Sequence, residues 1–383
     1  MSVLERRLVR DGSFGLLAKL FQVSWVYVVL LCALAGVGYV ALYTAAGGSP
    51  EPYASRHLLR FSAGLVIMMG LALVDIRWLA RFSWPAYALG VGLLVLVARV
   101  GHVGKGAQRW IEFAGMQWQP SEFMKIALVM ALAHWFHKAS YEKTGNLLFL
   151  LPPALAVLVP VGLILKEPNL GTAVITGIVG MSVFLGAGLR WWKVLLLIGT
   201  VAVAAPLAYE HLHDYQRARI ETFLNPQSDP LGAGYNILQS RIALGSGGMW
   251  GKGWLQGTQG HLNFLPEKQT DFIFTVLAEE FGMVGGLAVL GLLLLIVGGG
   301  MAMALRIRHQ YGRLLALGLS VNFFMYVCVN VAMVMGAIPV GGVPLPLVSH
   351  GGSAMLMVMS GFGLMMSAYV HRDVEFVTDD PLG

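Results

Sequence analysis

Apolar runs of about 18 to 25 residues recur from one end of this chain to the other, and as helices each can cross a hydrocarbon layer roughly 30 Å thick. Inside such a layer no water is available for backbone N–H and C=O groups, so helices or closed barrels are the only spanning structures. The runs predict ten helices at 21–46, 57–74, 84–99, 121–136, 147–165, 172–189, 194–210, 272–300, 314–338 and 353–370. The expected fold is therefore an all-α integral membrane protein. A single polytopic domain covers 21–370, after a segment 1–20 and before a tail 371–383, with a large loop at 211–271 between the seventh and eighth helices.

Composition agrees. Charged residues make up 12% of the 383 positions, against about 25% in soluble domains. The net charge of +6 raises a nucleic-acid reading, but the basic residues sort by topology. Arg6, Arg7, Arg10, Lys19, Arg77, Arg81, Lys138, Lys143, Arg190, Lys193, Arg306, Arg308, Arg313 and Arg372 fall on one set of alternate segments. That bias marks the cytoplasmic side, so no nucleic acid is called for. Both termini are expected in the cytoplasm, and 211–271 outside. Cys32 and Cys328 lie in apolar runs and read as small buried side chains. The first apolar run is too long for a signal peptide and is read as a retained helix.

Four segments on the expected outer side depart from the apolar background: VGKGAQRWIEFAGMQWQPSE, KEPNLGT, 211–271 and IPVGGVPLPLVSHGGS. The prolines of the last preclude ordinary helix, and irregular backbone at membrane depth must line protein or a watery cavity. In QPSEFMK, Pro120 and Ser121 start a helix with Glu122 in its first turn, and Lys125 lies at i+3 from Glu122. An ionisable group such as Lys125 inside an apolar span is a functional candidate by default. Lys166 and Glu167 end a span, and Asn169, Gly171 and Thr172 supply a turn and cap. GSGGMWGKGW could present backbone amides and Lys252 to an anion, or be a loop with turn glycines. His211, His213, His261 and His350 form no metal-ligand pattern.

The stretch PEKQTDFIFTVLAEEFG carries acids into an apolar run. Asp271 is expected as a cap or first-turn acid at the watery end of the eighth span, flanked by Glu267 and Lys268. Glu279 and Glu280 lie more than two turns deeper, on different faces, and suit hydrogen bonds or ion pairs that hold neighbouring helices.

Six ordered blocks, GAQRWI, QPSEFMK, KEPNLGT, DPLGAGYNILQSRIALGSGGMWGKGWLQGTQ, LPEKQTDFIFTVLAEEFG and GVPLPLVSHGGSA, resemble the SEDS family of bacterial cell-wall proteins over nearly the whole chain, and its elongation branch in particular. The resemblance implies a peptidoglycan glycosyltransferase that polymerises lipid II outside the cytoplasmic membrane and works with a class B penicillin-binding protein and other elongation-complex proteins. It implies that Asp271 is the catalytic residue, and it carries motif positions onto Arg109, Glu122 and Lys125. An α-linked donor and β-1,4 product, both implied by the family, require one inverting displacement of polyprenyl pyrophosphate, with Asp271 as general base. Arg109, Lys125, Lys166, Arg219, Lys252 or a divalent cation could stabilise the leaving group, and Ser349 joins the substrate-binding set. No cofactor is otherwise called for. Asn169, Gln269 and His350 depart from the family's more usual Asp, His and Tyr. A lipid-linked precursor flippase and a non-catalytic scaffold are the alternatives.

Overall fold

A computed structural model describes residues 15–104, 107–113, 116–139, 142–167, 169–196, 199–200, 203, 214–225, 227, 229, 232–258, 267–339 and 341–375. A short helix α1 (Leu16–Gln22) leads into α2 (Trp25–Ala45), α3 (Ala54–Leu73), α4 (Ile76–Arg81) and α5 (Ser83–Val100). A three-stranded antiparallel sheet follows, in the order β1 (His102–Gly104), β2 (Ala107–Phe113), β3 (Met116–Trp118). Then come α6 (Pro120–Phe136), α7 (Leu147–Lys166), α8 (Leu170–Gly186), α9 (Asp214–Leu224), α10 (Ala233–Ser246), α11 (Ile273–Arg306), α12 (Gln310–Val334) and α13 (Gly352–Val370).

Seven of these helices, α2, α3, α5, α7, α11, α12 and α13, are long and apolar enough to cross a membrane. The apolar α8 and the charge-bearing α6 have 17 residues each. Together these nine occupy nine of the ten expected spans; the tenth, 194–210, lies largely outside the described residues. The small sheet was not expected: VGKGAQRWIEFAGMQW pairs as strands where only a polar segment was foreseen. Cys32 is exposed on α2 rather than buried, while Cys328 is partly covered.

The bundle is built around α6, whose residues are buried at 14 of 17 positions. It packs against α5, α7, α8, α12 and α13. Pro120 stands at its first helical position and Glu122 in its first turn, as expected. A helix enclosed on all sides has no polar face to offer, so its two charged residues must be satisfied inside the protein.

The expected eighth span is broken. Gly282 in α11 has φ 66° and ψ −165°, a backbone region essentially reserved for glycine. A break inside a helix orphans carbonyls before it and amides after it. The glycine-rich stretch after α10 supplies both sets of partners. Lys252 N and Gly253 N donate to the carbonyls of Glu279 and Glu280 at 3.0 and 3.1 Å, while Met283 N and Val284 N donate to Gly248 and Met249 at 2.9 and 3.2 Å. GSGGMWGKGW is thus the cap of a helix break. Its amides at 252 and 253 are committed to α11 and are not a free cradle for an anion.

A β-carbon at Gly282 would collide with the Gly251 N–H and lie 2.6 Å from the Met249 carbonyl. Gly282→Ala is expected to lower stability by about 1–3 kcal/mol, read as a lowered thermal unfolding midpoint in detergent. Gly291→Ala, at a helical position where a β-carbon meets nothing within 4 Å, should leave the midpoint unchanged or raised.

Candidate functional site

Asp271 lies one residue before the N-cap of α11, which is Phe272, and no side chain caps that helix. The expectation of Asp271 as a cap is corrected: a reverse turn over 267–272 precedes the helix. Thr270 N and Phe272 N donate to the Glu267 carbonyl at 3.0 and 3.4 Å, and Thr270 Oγ1 donates to Glu267 Oε2 at 2.9 Å. Glu267 therefore shapes the turn from within, at a positive φ of 58°.

Three consecutive carbonyls of this turn are held by donors from elsewhere. His350 N donates to Gln269 at 2.8 Å, Ser349 Oγ to Thr270 at 2.6 Å, and Asn330 Nδ2 to Asp271 at 2.9 Å. Asn330 Nδ2 also donates to the Val343 carbonyl at 2.8 Å, which ties the turn, α12 and the segment 341–351 together. Ser349, expected among substrate-binding residues, is 2% exposed. It accepts from Leu345 N at 2.8 Å while its single proton goes to Thr270, so its hydroxyl positions backbone on both sides.

The carboxylate of Asp271 faces Gly342, whose β-carbon, if present, would lie 3.9 Å from Oδ2. On the other flank of the same glycine pair, a β-carbon at Gly171 would lie 3.7 Å from the Gly341 carbonyl. The KEPNLGT turn thus adjoins the Asp271 turn across Gly341 and Gly342. Asn169 caps α8 as expected, accepting from Thr172 N at 3.4 Å. Arg109, on β2, donates from Nε to the Glu167 carbonyl at 3.1 Å.

Lys166 and Glu167 separate. Lys166 is exposed, whereas Glu167 is 2% exposed and neither carboxyl oxygen has a hydrogen-bond partner among the described residues. Adjacent helical side chains point about 100° apart, so the end of α7 turns one inward and the other out. Burial pushes the Glu167 carboxyl up to about 8, opposed by the nearby Arg109 charge. The same cause, burial, pulls the Lys268 ammonium below its ordinary value.

Glu122 and Lys125 form the expected i, i+3 pair, at 2.8 Å and nearly free of solvent. Tyr326, not foreseen, completes the group: its hydroxyl contacts both Lys125 Nζ and Glu122 Oε2, and Lys125 Nζ sits 4.2 Å from its ring centroid. Tyr326 and Asn330 are four apart on α12, hence on one face, so this triad lies one turn from the residue that holds Asp271. A narrow cavity beside Tyr326 is lined also by Pro344, Leu345, Ser349 and Met355. The only sequence signal for Tyr326 and Asn330 was a pair of polar residues four apart in an apolar run.

Two predicted basic residues stand elsewhere. Lys252 binds Glu279 Oε1 at 2.7 Å and Thr258 Oγ1 at 2.7 Å, so its charge is balanced just before the break of α11, by a carboxylate eight residues beyond Asp271. Glu279 thus makes an ion pair as expected, but its partner comes from the loop after α10 and not from a neighbouring helix. Arg219 lies on α9, which packs against α10. His211, His213 and His261 lie outside the described residues.

Comparison with known proteins covers almost the entire chain. Residues 20–374 match the FtsW/RodA/SpoVE family model, described as cell cycle protein. The Escherichia coli K12 peptidoglycan glycosyltransferase MrdB is 43% identical over 350 residues, spanning 90% of this chain and 93% of that protein. A probable peptidoglycan glycosyltransferase FtsW from Trichlorobacter lovleyi is 34% identical over 360 residues, 91% of this chain and 93% of that one. Among solved structures, a chain of a peptidoglycan synthase complex that coordinates polymerization and crosslinking aligns at TM-score 0.79 with 31% identity, covering 92% of this chain and 98% of that one. Thermus thermophilus rod shape determining protein RodA aligns at 0.68 with 28% identity, covering 92% and 97%. The chain belongs to the FtsW/RodA/SpoVE cell cycle protein family, the SEDS proteins.

Proposed function

We propose that this membrane protein is the peptidoglycan glycosyltransferase of cell elongation, which polymerises lipid II at the outer face of the cytoplasmic membrane with Asp271 as general base. The observation that carries this reading is the turn over 267–272. It fixes the backbone of a half-buried carboxylate by three hydrogen bonds at one end of an apolar bundle. Such rigidity suits a base that must stay within hydrogen-bond reach of one attacking hydroxyl.

In the displacement, a sugar hydroxyl attacks the anomeric carbon of the donor, the C–O bond to the diphosphate breaks, and the hydroxyl proton passes to Asp271. The departing diphosphate needs positive charge more than a proton. Arg109 is our candidate for that charge: it is tied to the KEPNLGT turn through the Glu167 carbonyl, and a neutral, buried Glu167 beside it avoids repelling an anion. Lys125 with Glu122 and Tyr326 sits deeper, and its nearest service is to position α12 and hence Asn330. A groove of about 500 Å³ lined by Leu244, Met249, Phe274, Met283 and Leu290 starts one turn beyond Asp271 and could lay a polyprenyl tail against the bundle. A class B penicillin-binding protein is the proposed crosslinking partner, alongside other elongation proteins, by analogy with the synthase complex. Against a flippase stands the similarity over nine-tenths of the chain to proteins named as peptidoglycan glycosyltransferases.

Asp271→Asn should fold and insert normally yet lose at least about 10²-fold in lipid II polymerisation by purified protein; near-normal glycan synthesis would remove the base assignment. Glu167 gives a separate prediction. Its folded pKa of about 8 stands above the ordinary value of 4.5, so between those values the folded chain holds a proton that the unfolded chain releases. Stability therefore falls as pH rises through that window. Glu167→Gln should flatten this dependence, as measured by thermal unfolding in detergent at pH 5, 6.5 and 8.

A further inference from the structure

Arg56 and Arg60 lie four apart in the first two turns of α3, on one face of the helix. Arg60 is half-buried and its Nη1 donates to His350 Nε2 at 3.1 Å. Among the described residues no carboxylate pairs with either arginine. An unbalanced guanidinium drawn in from water costs free energy unless something else offsets it, and inside a membrane-spanning helix such a charge marks a functional site by default.

The chemistry of the neighbours points to an anion. A guanidinium can only donate, so His350 Nε2 must offer its lone pair and the imidazole is neutral. The ring is held so by burial first, then by Arg60 and Arg56, which together bring its pKa down to about 4. His57 also lies within electrostatic reach of His350 and Arg60; Tyr53 meets the His350 ring edge-on at 5.3 Å, and Gln269 takes the His350 amide.

Two further features converge there. A β-carbon at Gly352 would lie 3.8 Å from the Arg60 guanidinium carbon, so the N-terminus of α13 abuts Arg60. That helix has no side-chain cap, and its first turn carries orphan amides and positive partial charge. In the same turn Ser353 is 4% exposed and its hydroxyl has no hydrogen-bond partner among the described residues. Donors and positive charge thus collect from α3, His350 and α13, and the one described side-chain acceptor that meets them is the neutral His350 Nε2.

We propose that Arg56, Arg60, His350 and the uncapped first turn of α13 form a binding site for a lipid-borne phosphate, immediately beside the turn that carries Asp271. The ligand chemistry is a phosphate or diphosphate on a membrane anchor, supplied by a polyprenyl diphosphate or by a phospholipid headgroup. The first source rests on the glycosyltransferase reading above; the second does not. A bound phosphate supplies the acceptor that Ser353 lacks and gives Arg60 a charged one in place of His350 Nε2, and its charge favours the imidazolium of His350, which then turns from acceptor to donor.

The test uses the full chain in a phosphate-free maltoside detergent, with inorganic pyrophosphate as one probe and short-chain phosphatidylglycerol as the other. Calorimetry gives the affinity, and histidine-labelled NMR, assigned with His350→Gln, follows the His350 ring. Binding of either probe should raise the His350 pKa by at least one unit. Arg60→Gln should weaken that binding tenfold or more, while Arg60→Lys retains part of it and thermal midpoints stay at the wild-type value. A response to pyrophosphate assigns a diphosphate ligand, and a response to phosphatidylglycerol alone assigns a headgroup. No shift of His350 with either probe, or equal affinity in Arg60→Gln, overturns the site. Asp271→Asn should bind the probes as wild type does, so failure of the phosphate site and failure of the polymerase reading are told apart.

Discussion

The structure depends on one constraint: backbone that leaves helical geometry within a membrane bundle must find its hydrogen-bond partners in the protein itself. Two such segments, the turn over 267–272 and the proline-rich stretch 341–351, solve this for each other. The second supplies His350 N and Ser349 Oγ to carbonyls of the first, and Asn330 bridges both. Glu267 and Leu347 sit at positive φ, 58° and 62°, a cost accepted by non-glycine residues chiefly where the surroundings dictate the backbone. Asp271 inherits its position from this mutual arrangement rather than from the helix that follows it.

The same constraint explains the break in α11. A single straight helix would have carried Glu279 and Glu280 into the bundle with no loop within reach. Interrupting it at Gly282 exposes backbone groups that the 247–253 loop can cap, and brings Lys252 to Glu279. The glycines of that loop are needed because backbone meets backbone there: β-carbons at Gly247 or Gly251 would strike the carbonyls of Ala278 or Glu280. On the far side, the Glu122–Lys125–Tyr326 group satisfies two charges within the most enclosed helix. Because buried pairs are weak contributors to net stability but costly to break, its consequence is to fix how α6 and α12 face each other.

These arrangements divide positive charge into two kinds. Lys125 and Lys252 are balanced by carboxylates and hold structure. Arg56 and Arg60 are balanced by nothing described, and they collect with His350 and the start of α13 beside the Asp271 turn. A chain that joins lipid-linked sugars has to manage a diphosphate, and electrostatic stabilisation of the leaving group is commonly the largest contribution to such a step. The division of charge around one carboxylate is consistent with that demand.

Hydrophobic run length by itself determined the class of fold, because apolar segments of about 18 to 25 residues have few ways to satisfy their backbone in lipid. It also marked Asp271, Glu122, Lys125 and the Asn169 cap, since a polar residue in or beside an apolar run stands out locally, whereas Arg109 was marked only by the family resemblance. Sequence could not show that α11 is broken, that Ser349 serves the backbone, that Lys252 is taken by Glu279, or that Tyr326 and Asn330 connect the buried pair to the Asp271 turn. Nor did it show that Arg60 meets His350, 290 positions away. Periodicity and propensity report on neighbours along the chain, whereas which charge finds a partner and which does not is set by contacts between distant segments, and only the tertiary structure decided those.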